Sequence, residues 1–225
     1  MRKSAITFFS SLIIIACNNQ APDNHIKGID SLNDTMVKSN DTAVRNNNTI
    51  TDIENAKSDS SLLAGRNIGK VFIGMDASKL EKILGKPDMS DAAMGKAWIT
   101  WYSKNRDEHN NKNELNVYSA YADNDMRLRT VQEIRTTSSF FVTPDDIHVY
   151  CALPVIQKKY VVHKAAQYKS NDGRTIIIYD AKQQGIAFEI VSAANQNICV
   201  GIIIHEKGKD VNDIYLTLHP DMKRF

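Results

Sequence analysis

The chain reads Val71-Phe72-Ile73-Gly74-Met75 and, 76 residues later, Ile147-His148-Val149-Tyr150-Cys151. At the same spacing Leu80 falls on Ile156. Self-similarity at a fixed spacing is the signature of a repeated structural unit. The sequence therefore predicts two tandem units of similar fold.

The match continues downstream after one change of spacing. Lys96–Tyr102 lies over Asp172–Ile178, and Leu115–Tyr121 then matches Gly185–Val191 at a spacing of 70 residues. The Asn-rich, charged stretch Ser103–Glu114 absorbs the difference, because length variation concentrates in surface loops. Each unit is thus expected to contain three strands.

A short helix is predicted at the start of each unit. The first should cover about 76–84, with Asp76 as its N-cap and Gly85 just beyond its end, because these residue types favour those positions. Pro154 suits the first turn of the second helix. We therefore predict an α+β protein made of two tandem units, each a short helix packed on an antiparallel sheet of about three strands.

Composition changes near residue 64. Residues 18–63 are rich in Asn, Asp, Ser and Thr and contain no Phe, Trp or Tyr, so they cannot bury a core. We predict a lipidated, disordered tether over 17–63, a first unit over 64–138, and a second unit with a carboxy-terminal extension over 139–225.

The amino terminus has the pattern of an export signal. Two basic residues precede the mostly apolar run Ala5–Ala16, which is shorter than the roughly 20 residues that a spanning helix needs. The run ends Ile14-Ile15-Ala16-Cys17, which resembles the lipobox of bacterial lipoproteins. Residues 1–16 are therefore predicted to be a signal peptide, and Cys17 is predicted to carry the lipid that anchors the chain to a membrane. The alternative is an ordinary signal peptide followed by an unrelated cysteine.

The net charge bears on the partners that we expect, and the residue after Cys17 bears on the location that we expect. The formal charge is only +2, which gives no basic surface for nucleic acid. Asn18, in place of Asp, resembles the sorting signal of outer-membrane cargo in some Gram-negative bacteria. The expected location is the cell envelope, at the outer membrane.

One family shares the motif of the first unit. Ile73-Gly74-Met75-Asp76, Ile83-Leu84-Gly85-Lys86-Pro87-Asp88 and the aromatic stretch Trp98–Tyr102 resemble the opening of the SmpA/OmlA (BamE-like) outer-membrane lipoproteins. The tandem arrangement also resembles the beta-lactamase-inhibitor-protein fold. The second unit departs from the motif, with Tyr150-Cys151 in place of Gly-Met. The resemblance implies an accessory or binding role at the envelope and argues against catalysis.

Chemistry-bearing residues are scattered. His148 and Cys151 have a spacing compatible with metal ligands, but structural zinc sites usually show paired Cys or His spacings. A Cys–His nucleophile needs a base within hydrogen-bond reach and a third, orienting group, and no motif supplies them. We expect no metal, no cofactor and no enzymatic activity.

Cys151 and Cys199 are the cysteines that follow Cys17. Export would place them in an oxidising compartment, where a disulfide is possible. The alternative is two buried free thiols, since free cysteine behaves as a small hydrophobic residue.

Strand alternation divides the aromatic residues between two faces. Ile99 and Trp101, joined by Val117 and Leu128, are expected under the helix. The opposite side would form an aromatic and basic outer face that binds a protein, with these members: Trp98, Tyr102, Tyr118, Arg127 and Arg129. Alternatively, these aromatic residues pack against the second unit or the loop. The second unit is apolar on both strand faces, so its faces cannot be assigned.

These features predict a non-enzymatic, lipid-anchored envelope protein. It would bind another envelope protein and act in outer-membrane assembly or maintenance. One alternative is an inhibitor of a periplasmic hydrolase. Another is a small hydrolase that uses Cys151 and a histidine, which would require Cys151 to meet His148 or His163 in an open cleft.

Overall fold

The computed structural model describes residues 60–122, 127–193, 196–214 and 217–225. The predicted signal peptide, Cys17 and the predicted tether up to residue 59 lie outside this part. The described residues belong to one unit. Strands account for 49% of them and helices for 8%, which makes the protein mostly β. Within the same ranges, no helix has the length and apolar character that a membrane crossing requires.

Twelve strands and two short α-helices follow one another along the described chain. The first part contains β1 (Leu62–Leu63), β2 (Asn67–Ile68), β3 (Val71–Phe72), a 3₁₀ turn (Ala77–Lys79), α1 (Leu80–Leu84), β4 (Met89–Ala93), β5 (Lys96–Arg106), β6 (Lys112–Tyr121) and β7 (Arg129–Thr136). The second part contains α2 (Leu153–Gln157), β8 (His163–Lys169), β9 (Thr175–Ala181), β10 (Ile186–Ala193), β11 (Gln196–His205) and β12 (Lys223–Arg224).

Nine strands form one antiparallel sheet, in the order β12-β8-β9-β10-β11-β7-β6-β5-β4, and β1–β3 form a separate small sheet. The predicted fold class is therefore wrong: the chain is not two helix-on-sheet units. Each half contributes four long strands rather than three, and β7 pairs directly with β11. This pairing satisfies the backbone groups that two separate sheets would leave exposed at their edges.

The junction of the two halves is symmetric in register. Ile134 pairs with Ile204, Arg135 with Ile203, and Thr136 with Ile202. Each half thus ends on a strand that meets the corresponding strand of the other half. Arg135 lies at the centre of this junction.

The predicted repeat is visible at its starting point. Gly74 and Tyr150 both have φ of 82°. The Gly74 N–H donates to Val131 O (2.7 Å), and the Tyr150 N–H donates to Cys199 O (2.8 Å). The first half uses glycine for this left-handed conformation, whereas the second half places a tyrosine there, which strains its backbone.

The downstream alignment of the repeat is wrong in register. Trp98 pairs with Tyr118, and the corresponding pair in the second half is Ile178 with Glu189. The counterpart of Trp98 is therefore Ile178 and not Arg174. Turn lengths and bulges differ between the halves, and spacing in the sequence alone cannot locate them.

The predicted helix signals are confirmed locally. The Asp76 carboxylate accepts from Ser78 N–H, Gly85 is the C-cap of α1, and Pro154 lies in the first turn of α2. Both helices have only five residues, so packing on the sheet must hold them. They cover the side of the sheet that we call the front face.

The front face forms the larger core, in which Val117 and Phe188 are fully buried. Leu62 has no exposed surface and belongs to this core, so the fold begins before residue 64. Leu128, predicted to lie under the helix, is instead 44% exposed. The opposite side of the sheet, the back face, carries a second apolar cluster that includes Ile178, Ile203 and Val211.

The carboxy-terminal segment, residues 206–214 and 217–225, explains why the second half is apolar on both faces. Its residues Val211 and Met222 pack with the back-face cluster. The buried carboxylate of Asp180 accepts from Val211 N–H (3.1 Å) and lies 3.0 Å from His205 Nε2. This segment therefore supplies a cover for strands that would otherwise expose isoleucines to solvent.

Candidate functional site

Two members of the predicted aromatic face, Trp98 and Tyr118, are covered by the chain itself. Trp98 and Tyr118 are cross-strand neighbours with ring centroids 5.3 Å apart. They are 4% and 1% exposed and pack with Ile214 and Leu218 of the carboxy-terminal segment. The structure thus agrees with the alternative of internal packing for these two residues.

The other members of the predicted face are more accessible. Tyr102 is partly exposed, and its hydroxyl donates to Met89 Sδ (3.1 Å). Arg127 is exposed, and Arg129 is half-buried. A protein-binding role for these five residues stays a prediction, but only Tyr102, Arg127 and Arg129 are placed to meet a partner.

A buried ion pair crosses the junction of the two halves on the back face. The Arg135 guanidinium donates to both carboxylate oxygens of Glu189 at 2.7–2.9 Å and to Glu114 Oε2 at 2.9 Å. Arg135 comes from β7 and Glu189 from β10, so the contact passes over β11. Gly201 permits this passage, because a Cβ there would lie 2.9 Å from the Glu189 carboxyl carbon.

Burial and the charge on Arg135 shift the pKa values of two carboxyl groups in opposite directions. Burial tends to raise the pKa of Glu189, but the adjacent Arg135 charge outweighs burial and lowers it. Burial raises the pKa of Glu133 well above its usual range, and the negative charge of Glu189 adds to this effect. Glu133 Oε2 is buried without a hydrogen-bond partner. The environment therefore favours the ionised form of Glu189 and the neutral form of Glu133.

The amino-acid sequence carries a signal for this network that lies outside the repeat and the family motif. Glu189 stands inside β10, whose residues 186–191 are otherwise apolar, whereas Glu133 and Arg135 flank Ile134 in the mostly polar strand β7. Charged residues are rarely fully buried unless they are paired. Charge inside an apolar strand thus indicates a partner, although the sequence does not identify it.

The two cysteines are neighbours and are free thiols. The Cys199 N–H donates to Cys151 O at 3.0 Å. Cys199 is fully buried and Cys151 is 4% exposed; burial raises the pKa of the Cys199 thiol. The predicted alternative of two buried thiols matches this state of the chain.

His148 meets Cys151, as the hydrolase alternative requires, but not in an open cleft. A hydrogen bond with the Cys151 side chain raises the pKa of His148 to about 9. Cys151 packs in the front core beside Leu153 and Ile156. A substrate therefore has no direct route to its sulfur. Among the described residues, no group of three or more His, Cys, Asp or Glu side chains could hold a metal ion.

The edge strand β4 is exposed along its whole length. All five residues, Met89–Ala93, are exposed, and β4 pairs only with β5 in the sheet order. Met89 and the following Met94 are 59% and 80% exposed. Edge strands are usually protected by Lys, Pro or a bulge, whereas Asp91 is the single charged residue in β4. This edge can accept another strand.

Comparisons with known proteins leave the family open. No family model and no curated protein matches the chain. Among solved structures, a match covers 64% of this chain and 99% of the other, with 8% sequence identity and a TM-score of 0.34. That structure is of YfeY, an uncharacterized protein from Escherichia coli.

Proposed function

We propose that the chain is a non-enzymatic lipoprotein of the cell envelope that binds another envelope protein, in an accessory role in outer-membrane assembly or maintenance. The observation that carries the proposal is the open edge β4. An extended segment of the partner would add to the sheet beside Met89–Ala93, using backbone hydrogen bonds for affinity and side-chain contacts for selectivity.

The side chains along this edge suit a protein partner. Methionine is flexible and polarisable, and it is common on surfaces that adapt to a partner. Met89 contacts Tyr102, so the edge adjoins the accessible part of the predicted aromatic face. Tyrosine is enriched among the residues that contribute most to protein interfaces.

The predicted anchor supports an envelope partner. If residues 17–59 behave as a flexible chain, their r.m.s. reach is about 35–40 Å. Lipid on Cys17 would then keep β4 close to the membrane surface. The partner we favour is an outer-membrane protein with an extended, unpaired segment.

The test uses the full-length lipidated chain with a photo-crosslinking residue at Ser90. We expect cross-links to an extended segment of one envelope protein, mapped by mass spectrometry. Ala92→Lys should abolish them, because a lysine on an edge strand opposes strand addition. Val161→Lys is the matched control, since Val161 is 77% exposed and lies outside β4.

Three results would contradict parts of this proposal: the assembly role, strand addition at β4, or the lipid anchor. Cross-links to a soluble periplasmic hydrolase, lost in Ala92→Lys, would favour the inhibitor role over the assembly role. Cross-links that persist in Ala92→Lys would exclude strand addition at β4. A Cys17→Ser chain that stays in the membrane fraction would contradict lipid anchoring.

A further inference from the structure

A cavity on the back face is separate from the β4 edge and has a distinct chemistry. It has a volume of about 260 Å³ and lies between two hairpin turns, with walls from Asn111–Glu114 and from Tyr168–Asn171. Arg135 also lines the cavity. It therefore opens where the two halves of the sheet join.

Basic side chains outnumber acidic ones in the lining of this cavity. Lys112, Arg135, Lys169 and Arg174 line it, against the single carboxylate of Glu114. Arg174 is paired with Asp172 (2.7 Å), and Arg135 is paired with Glu189 and Glu114. Within the described ranges, no carboxylate forms an ion pair with Lys112 or Lys169. Lys112 Nζ lies over the Tyr102 ring, 4.7 Å from its centroid, and Lys169 Nζ donates to Thr175 Oγ1 (2.7 Å). Both contacts leave the positive charge of the lysine uncompensated, so an anion can pair with it.

Amide and aromatic groups also line the cavity. Asn111, Asn113 and Asn171 provide side chains that both donate and accept hydrogen bonds, which suits hydroxyl groups. The His219 ring stacks on Tyr168 with centroids 3.6 Å apart, and its buried Nε2 has no partner. An unpaired buried nitrogen in a cavity wall is a place for a ligand hydroxyl.

Tyr150 adds an independent indication. It lines the same cavity at the strained φ of 82°, where the first half has glycine. Asp107 and Asn111 fix its hydroxyl at 2.7 and 3.0 Å, and His109 packs edge-on against its ring at 4.2 Å. Backbone strain that surrounding contacts maintain is characteristic of binding sites.

We propose that this cavity binds a small hydroxyl-bearing organic anion, of the class of sugar acids and sugar phosphates. The acidic group would contact Lys112 and Lys169. The hydroxyl groups would contact the asparagine amides and His219 Nε2. A phosphate or a carboxylate would satisfy the lysines equally, so the hydroxyl-bearing body provides the selectivity.

Calorimetric titration of the detergent-solubilised full chain tests the proposal. The probes are glucuronate, glucose 6-phosphate, neutral glucose and inorganic phosphate. We expect one or both organic anions to bind, and glucose and inorganic phosphate to bind at least roughly tenfold more weakly, because charge-assisted and neutral hydrogen bonds both contribute. Whether glucuronate or glucose 6-phosphate binds more tightly distinguishes carboxylate from phosphate recognition.

Variants locate the binding. Lys112→Gln combined with Lys169→Gln should weaken the organic anions at least roughly tenfold. The control removes two exposed lysines elsewhere, Lys82→Gln with Lys158→Gln, and should leave affinity unchanged. Tyr150→Gly keeps the backbone conformation but removes the ring, so it should also weaken binding.

Four outcomes would overturn the proposal. They are binding of neither organic anion, equal binding of glucose, equal binding of inorganic phosphate, and affinity that the Lys112/Lys169 double variant leaves intact. None of them bears on the β4 edge, because the cavity and the edge share no residue.

Discussion

At the scale of single residues, the burial of Trp98 indicates that it stabilises the fold. The indole is 4% exposed and packs under Ile214 and Leu218. Trp98→Ala should therefore lower the free energy of unfolding by about 3–5 kcal/mol, from lost burial and the cavity left behind. Chemical denaturation measures the change. Met94→Ala, at an 80% exposed position, should stay within about 0.5 kcal/mol; equal effects of the two changes would place Trp98 on the surface.

Glu133 makes stability depend on pH in an unusual direction. Burial raises its pKa in the folded state, so folding favours the neutral acid. Its contribution is fully present below the unfolded-state pKa of about 4.3 and is lost as the pH rises through the folded-state pKa. Alkaline conditions should therefore weaken the fold at this residue.

Glu133→Gln tests this expectation, because glutamine resembles the neutral acid at every pH. The variant should be more stable than the natural chain at pH 8, and the advantage should shrink towards pH 4.5. Urea denaturation at both values gives the difference, in which His148 and His219 cancel because both proteins contain them. A stability difference that does not change with pH would show that Glu133 titrates normally.

Residue chemistry was partly predictable from the sequence. Asp76, Gly85 and Pro154 have local preferences that need no tertiary information, and they lie where predicted. Trp98 and Tyr118 share a face, as alternation predicts, but alternation does not show which segment covers that face. The cover comes from Ile214 and Leu218, about a hundred positions away in the sequence, and only packing in three dimensions brings it there.

At the scale of elements, the ion pair that joins β7 to β10 across β11 depends on Gly201. The Glu189 side chain passes over Gly201, and a Cβ there would lie 2.9 Å from its carboxyl carbon. Gly201→Ala should push Glu189 away from Arg135. Separating a buried ion pair leaves a charge without compensation, which costs about 3–5 kcal/mol.

Gly173→Ala is the matched control for Gly201→Ala. Gly173 has φ of 83° and open space where a Cβ would be, so the change introduces only backbone strain of about 1–2 kcal/mol. Thermal unfolding of the two variants should rank Gly201→Ala as clearly the less stable. The reverse order would mean that the Arg135–Glu189 pair does not hold the two halves together.

The pairing of strands that are distant in the sequence explains why the predicted fold class is wrong. The sequence indicates a helix and several strands in each half. The residues of a strand do not identify the strand with which it pairs. The pairing of β7 with β11 joins two non-consecutive strands. A contact between the ends of two halves depends on the shapes of their sheets, and no local pattern in Arg129–Thr136 specifies it.

At the scale of the whole molecule, the two halves share one core. The front-face cluster includes Leu62 and Leu80 from the first half and Ile156 and Ile204 from the second. The Arg135–Glu189 pair joins the halves on the back face. The chain should therefore unfold in one cooperative transition, although the sequence predicts two units.

The fold begins at residues 60–62, which are hydrogen-bonded to the second half of the chain. Ser60 O accepts from Val142 N–H (2.9 Å), and Leu62 N–H donates to Val142 O (3.0 Å). Leu62 itself is fully buried. These contacts tie residues 60–62 to the second half, so they belong to the folded part even though composition places them in the tether.

Limited proteolysis should therefore cut between residues 18 and 59 and leave a resistant fragment that begins at or before Ser60. Its first residue can be identified by mass spectrometry. A chain shortened to begin at Ala64 should lose about 2–5 kcal/mol relative to one that begins at Ser58, because it lacks the Leu62 side chain in the core. A fragment that begins at Ala64 and unfolds at the same denaturant concentration as the longer one would show that β1 adds nothing to the fold.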